Sequence, residues 1–202
     1  LNLQEKDLER FRGRRVSLVV QDPHQGLEPT RRIGSQIKEA LLIHKMCDKR
    51  QADARVLELL EDVGLKDPQR VKQSFPHQVS GGMAQRAMIA MMLASEPSLL
   101  VADEVTSALD VSLRKAILEL IDKQRAQRNL AVVLISHDLE LVAGFADRVM
   151  VMYAGRVVEE INGGLIEKAT HPYTRGLLAC LPKLGEFNKK LAVLNRDPAW
   201  LT

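Results

Sequence analysis

Short apolar runs alternate with helical repeats along this chain of 202 residues. Val16 to Val20 (VSLVV) is a β-branched run too short for a helix, and it reads as a buried strand. It stops at Gln21-Asp22-Pro23, because proline cannot donate to a strand ladder. A polar stretch bearing proline and glycine follows to Thr30. From Ile33 to about Phe75 the period changes. Ile33, Ile37, Ala40 and Leu41 recur at helical spacing, as do Val56, Leu59, Leu60 and Val63, and Gly64 marks a helix stop. No strand pattern interrupts this block, so it reads as a helical subdomain set apart from the sheet.

Ser80 is predicted to cap a helix running to about Ser95, with Met88, Met91 and Met92 near its apolar face. Leu99 to Ala102 is a second buried strand and ends in Asp103-Glu104. A helix from about Val111 to Gln127 carries Leu113, Ile117, Leu120 and Ile121 on one stripe. Leu130 to Ile135 is a third buried strand, ending at Ser136-His137-Asp138. A short helix then reaches about Phe145. Val149 to Tyr153 and Arg156 to Glu159 flank Ala154-Gly155 as a hairpin. Strands alternating with helices predict an α/β fold, its mostly parallel sheet covered on both faces.

Composition narrows the choice of partner. With 27% charged residues and a net charge of +3, the chain is no disordered acidic or basic tail. The sequence pI of about 8.9 points only weakly to nucleic acid, and 3% aromatic content weighs against a base-stacking platform. Cys47 and Cys180 are far apart with no CxxC, which implies neither a disulfide framework nor a zinc site and favours a reduced, cytosolic compartment. His44 and Cys47 lie about one helical turn apart, within reach of a shared metal or simply on a helix surface. No apolar run approaches the roughly 20 residues a membrane helix needs.

The chemistry gathers at strand ends. Ligands of open α/β sheets bind beyond the carboxyl ends of the strands. Here the three strands end in Gln21, in Asp103-Glu104 and in His137. Each alone is ordinary: a loop glutamine, a helix-capping pair, a structural histidine. Together they are not. Val79-Ser80-Gly81-Gly82-Met83-Ala84-Gln85-Arg86 adds a helix start whose unpaired N–H groups and dipole favour an anion, with glycines permitting close approach of a phosphate.

These segments resemble the motifs of the ATP-binding-cassette ATPases. VSGGMAQR resembles the family signature, which implies nucleotide contacts from Ser80, Gly81, Gly82 and Gln85. LLVADE resembles the Walker B strand, implying Asp103 as a Mg²⁺ ligand and Glu104 as the catalytic carboxylate that polarises water. Ser107 to Asp110 (SALD) resembles the D-loop, implying a nucleotide-side role for Asp110. Gln21 resembles the Q-loop glutamine, near metal and water, and His137 the switch histidine. The resemblance spans roughly residues 14 to 160. It implies a P-loop NTPase-like fold with an inserted helical subdomain, ATP and Mg²⁺ as cofactors, and head-to-tail pairing with a second ATPase subunit, identical or not. His171 to Leu178 (HPYTRGLL), Leu27 to Thr30 (LEPT) and Ile33 to Ile37 (IGSQI) resemble importer ATPases for oligopeptides, dipeptides or nickel. That implies transmembrane permease subunits as partners, a solute-binding protein acting indirectly, and a peripheral position on the cytoplasmic face of the inner membrane.

Four segments follow: residues 1–21, the incomplete end of an N-terminal core part; 22–78, the Q-loop and helical subdomain; 79–165, the signature helix, Walker B strand, D-loop and switch; and 166–202, a C-terminal extension. No G-x-x-x-x-G-K-[ST] occurs in the 202 residues. The expectation is that the N-terminal part is missing and that this chain alone binds ATP weakly or not at all; micromolar affinity would contradict it. Val105 stands where the family usually has proline, and Glu160 to Lys168 reads as a drifted loop. Two alternatives to a transport ATPase are an inactive remnant of one, offering its signature helix to an intact partner, and a soluble cassette ATPase acting on nucleic acid or ribosomes. Few aromatics and a charge of +3 weigh against the last.

Overall fold

The computed structural model describes residue 8, residues 11–106, residues 111–181 and residue 200. The chain forms two compact units, Leu1–Ser136 and His137–Thr202.

In the first unit, β1 (Val16–Val19), β2 (Leu99–Asp103) and β3 (Ala131–Ile135) form a parallel sheet in the order β1-β2-β3. Its register pairs Val19 with Ala102 and Asp103 with Ile135. Between β1 and β2 come five α-helices, α1 (Pro23–Gly26), α2 (Ile33–Ile43), α3 (Ala52–Asp62), α4 (Pro68–Gln73) and α5 (Gly81–Leu93), with a 3₁₀ turn at Pro76–Gln78 before the last. The expected helical block is thus present. The helix α1 was not foreseen; Asp22 caps it by accepting from the His24 N–H at 2.9 Å, and Pro23 fills its first turn. Asp67 caps α4 in the same way, accepting from the Arg70 N–H at 3.0 Å.

The helical stripes face one another. Ile33, Ile37 and Leu41 of α2, Val56, Leu59 and Leu60 of α3, Val71 of α4 and Met88 and Ile89 of α5 are all at most 1% exposed. Each such side chain contributes about 1.5–3 kcal/mol of burial. The helix α6 (Val111–Arg128) joins this layer through Gln124, which donates to the Asp62 carbonyl at 3.3 Å, and through Arg128, paired with the Asp62 carboxylate at 2.9 Å.

The sheet corrects one expectation. Ser17, Val19, Leu100 and Ala102 are buried on one face, where α5 packs against β1. The alternate positions are not: Val16 is 37% exposed, Leu18 48%, Val133 41% and Ile135 47%. Only one face is covered among the described residues, and β3, expected to be buried, is half open. An all-apolar run looks alike whether one face is packed or both, because β-branched residues suit either strand environment.

In the second unit, α7 (Leu139–Phe145) precedes the antiparallel hairpin β4 (Arg148–Tyr153) and β5 (Arg156–Asn162). Ala154 (φ 47°) and Gly155 (φ 80°) turn it with two left-handed residues, the two-residue hairpin geometry that matches strand twist. The stretch read as a drifted loop is ordered: β5 runs on to Asn162, and Gly163–Lys168 forms a 3₁₀ segment. Gly163 is required there, since a Cβ would sit 1.7 Å from the Ala146 carbonyl oxygen. The helix α8 (Pro172–Ala179) is held by Glu159, whose Oε1 accepts from the Thr170 N–H (2.7 Å), the Thr170 hydroxyl (2.9 Å) and the His171 N–H (3.0 Å). Tyr153, Tyr173 and Trp200 close the unit as an aromatic cluster, with ring centroids 4.7–5.3 Å apart.

Candidate functional site

Parallel pairing sends the ends of β1, β2 and β3 to one sheet edge, and the predicted residues of the first unit follow. Gln21 lies two residues past β1 and is exposed. Asp103 is the last residue of β2, half-buried and opposite Ile135. Glu104 comes next with φ 46°, a left-handed conformation that costs a non-glycine residue about 1–2 kcal/mol. Two contacts enforce it. The Glu104 N–H donates to the Ile135 carbonyl at 2.9 Å, and the following Val105 and Thr106 are 1% and 4% exposed. Val105, where a proline was expected, therefore anchors the turn in the core. The strained residue sits at the rim of the sheet, the kind of place where functional sites concentrate backbone strain.

Among the described residues, no three His, Cys, Asp or Glu side chains converge as a metal cage. A Mg²⁺ ion does not need one. It takes one or two carboxylates and completes its shell with phosphate oxygens and water, which a single hard-oxygen ligand at a strand end suits. His44 and Cys47, considered as a metal pair, do not share a helix face, because α2 ends at Ile43.

The second group is the start of α5. Ser80 is exposed and accepts from the Met83 N–H at 3.4 Å, so the predicted cap forms. Gly81 is exposed and meets no atom within 4 Å of where a Cβ would lie, so nothing in the chain itself demands a glycine there. A Cβ on Gly82 would meet the Leu113 side chain at 2.7 Å. Gln85 is a correction. It is 1% exposed on the core side of α5, and among the described residues its Nε2 has no partner. Position in the motif suggested otherwise; the helical period, which turns residue 85 inward beside Ala84 and Met88, decides.

Sequence reasoning missed what surrounds this helix end. A cleft of about 750 Å³ opens at it, with Lys66, Asp67, Arg70 and Arg86 on its walls. No motif marks Lys66 or Arg70; they reach this helix end only because the α3–α4 connection folds back over α5. Arg86 fixes that fold, its Nη1 donating to the Val63 carbonyl at 2.7 Å across Gly64.

His137 opens the second unit, two residues beyond β3, and is exposed. The neighbouring Asp138 caps α7, accepting from the Leu141 N–H at 3.1 Å. Asp110, with the rest of Ser107 to Asp110, lies outside the described residues.

Comparison with known proteins bears on this arrangement. Residues 1–107 match the family model described as ABC transporter. The chain is 45% identical over 185 residues to the oligopeptide transport ATP-binding protein OppD of Lactococcus lactis subsp. cremoris, covering 91% of this chain and 55% of that protein. It is 44% identical over 193 residues to the dipeptide transport ATP-binding protein DppD of Escherichia coli, covering 95% of this chain and 59% of that one. The chain thus spans little more than half the length of these relatives. Among solved structures it resembles the ATP-binding cassette MJ0796, dimeric and bound to ADP and Pi, with a TM-score of 0.69 and 27% identity over 80% of this chain and 68% of that one. The fold also matches cbiO1 from Clostridium perfringens, with a TM-score of 0.72 at 24% identity over 82% of this chain and 63% of that one.

Proposed function

The chain belongs to the ABC transporter family, and from that premise we propose that it serves in the ATP-hydrolysing subunit of an importer for oligopeptides or dipeptides. The observation that carries this reading is the 44–45% identity, over nine-tenths or more of this chain, to oligopeptide and dipeptide transport ATP-binding proteins.

Phosphoryl transfer to water asks for positioning and charge neutralisation more than for covalent chemistry. In this reading Asp103 and Gln21 hold Mg²⁺, which when bound neutralises charge on the phosphate oxygens. Glu104, fixed by its backbone bond to β3, orients the attacking water and takes up its proton as the new P–O bond forms and the bond from the γ-phosphorus to the bridging oxygen breaks, releasing ADP and phosphate. The switch residue His137 donates to the γ-phosphate. Ser80, Gly81 and Gly82 face the γ-phosphate of a nucleotide held by a second ATPase subunit, paired head to tail. The open space around Gly81 supports an approach from outside the chain. Gln85 is left out, since it is buried.

Coupling to transport runs through permease subunits docked against the helical block and the Gln21 segment, at the cytoplasmic face of the membrane. No helix among the described residues is long and apolar enough to cross it.

The test is a graft. Residues 1–202 replace the matching segment of the Lactococcus lactis oligopeptide protein, and ATP turnover and peptide uptake are measured with its own permease. The graft is expected to support both, and Glu104→Gln is expected to abolish turnover while leaving nucleotide binding intact. A folded graft that binds ATP but drives no peptide uptake, or a Glu104→Gln graft that hydrolyses normally, refutes the reading.

A further inference from the structure

The cleft beside α5 carries more positive charge than its helix end requires. Lys66 and Arg70 are exposed on its wall, and neither makes an ion pair among the described residues. The one carboxylate lining the cleft, Asp67, is engaged as the cap of α4. Arg86 ties Val63, three residues before Lys66, to α5 and so fixes where the wall begins. A volume of about 750 Å³ lies within the range of small-molecule sites. Fixed backbone donors beside unpaired cations suit phosphate oxygens, which accept from both.

We propose that Lys66 and Arg70 bind the polyphosphate of a nucleoside triphosphate presented by the partner subunit, at positions beyond the phosphate that Ser80 and Gly81 contact. This extends the proposed function and rests on it: Lys66 and Arg70 are positioning residues that hold the bound anion against the helix end. They draw in the nucleotide-loaded partner and make no contact with the attacking water.

The test uses the 202-residue chain and inorganic tripolyphosphate as the probe, with amide shifts followed by NMR. Expected are saturable shifts at both Gly64–Arg70 and Ser80–Met83. Lys66→Gln together with Arg70→Gln should weaken binding roughly tenfold, as two partly exposed charge contacts imply. Lys115→Gln, which removes an exposed charge on α6 that does not line the cleft, should leave affinity unchanged, and unaltered spectra of the free variants establish that they fold. Shifts at Ser80–Met83 with equal affinity in the double variant overturn this inference and leave the proposed function standing. No shift at Ser80–Met83 in any protein overturns the proposed anion site itself. Equal weakening by Lys115→Gln reduces the effect to net charge and also overturns the inference.

Discussion

Glu159 offers the sharpest test of how the second unit is held. Burial, the largest single influence on its carboxyl, would raise the pKa from the ordinary 4.5. Hydrogen bonds from Thr174, from the N–H groups of Thr170 and His171 and from the Thr170 hydroxyl outweigh that and hold it at about 2. The Thr174 contact falls short of a well-formed hydrogen bond, since its Oγ1 and Glu159 Oε2 are both buried without a partner of good geometry. The three donors at Oε1 carry the anchoring. Taken at face value, the lowered pKa corresponds to about 3 kcal/mol of stability at neutral pH. The side chain is partly exposed, so ~1.5 kcal/mol is the better expectation. Because the folded pKa is depressed, this stability is fully present above about pH 4.5 and is lost as pH falls toward about 2. Glu159→Gln keeps an acceptor but no charge. It should cost ~1.5 kcal/mol at pH 7, with the gap to wild type closing between pH 4.5 and 2. Glu159→Ala leaves the Thr170 and His171 donors without an acceptor and should cost about 2–3 kcal/mol. Trp200, the sole tryptophan, packs on Tyr153 and Tyr173, so urea unfolding followed by its fluorescence reads this unit. A Glu159→Gln gap that stays constant from pH 7 to 2.5, or a Glu159→Ala cost below about 0.5 kcal/mol, refutes the reasoning.

Three further outcomes follow from close contacts and their absence. Gly163→Ala should destabilise the second unit by about 2–3 kcal/mol, seen as a lower midpoint of Trp200 fluorescence loss, because a backbone oxygen 1.7 Å away cannot yield as a side chain would. Gly81→Ala should leave the stability of the chain within about 0.5 kcal/mol of wild type by thermal melting, having nothing within 4 Å to meet, yet should lower ATP turnover of the graft. Gln85→Met should melt at or above the wild-type temperature, since it removes a buried amide nitrogen without a partner, and should leave ATP turnover of the graft unchanged.

Much of this was legible in the residues. Helical spacing locates α2, α3, α5 and α6 to within a few positions, and the polar residues closing the three apolar runs mark the sheet edge. Two things were not legible, for physical reasons. Covered and open strand faces have the same composition, so the exposure of Leu18 and Ile135 could not be read from VSLVV or AVVLI. And Lys66 and Arg70 converge on Ser80 only through the reversal of the chain at Gly64 (φ 75°), a tertiary event with no local pattern. Gln85 differs again: motif membership places it toward the nucleotide, whereas helical phase turns it inward, and its side chain is buried.

The parallel pairing of β1 with β2 has a kinetic side. Val16 meets Leu99 only after the whole helical block between them has been traversed. Closing so long a loop is entropically slow unless the intervening chain is already compact. The helical block, whose helices pack on one another within residues 23–93, supplies that compaction, and the hairpin unit that follows His137 needs none of it. Pulse-labelled hydrogen exchange during refolding should protect amides of α3 and of the β4–β5 hairpin before those of β1. Order of birth, not strength of contact, then separates the sheet edge that carries Asp103 from the rest of the molecule: the proposed reactive edge is the last part of its unit to exist.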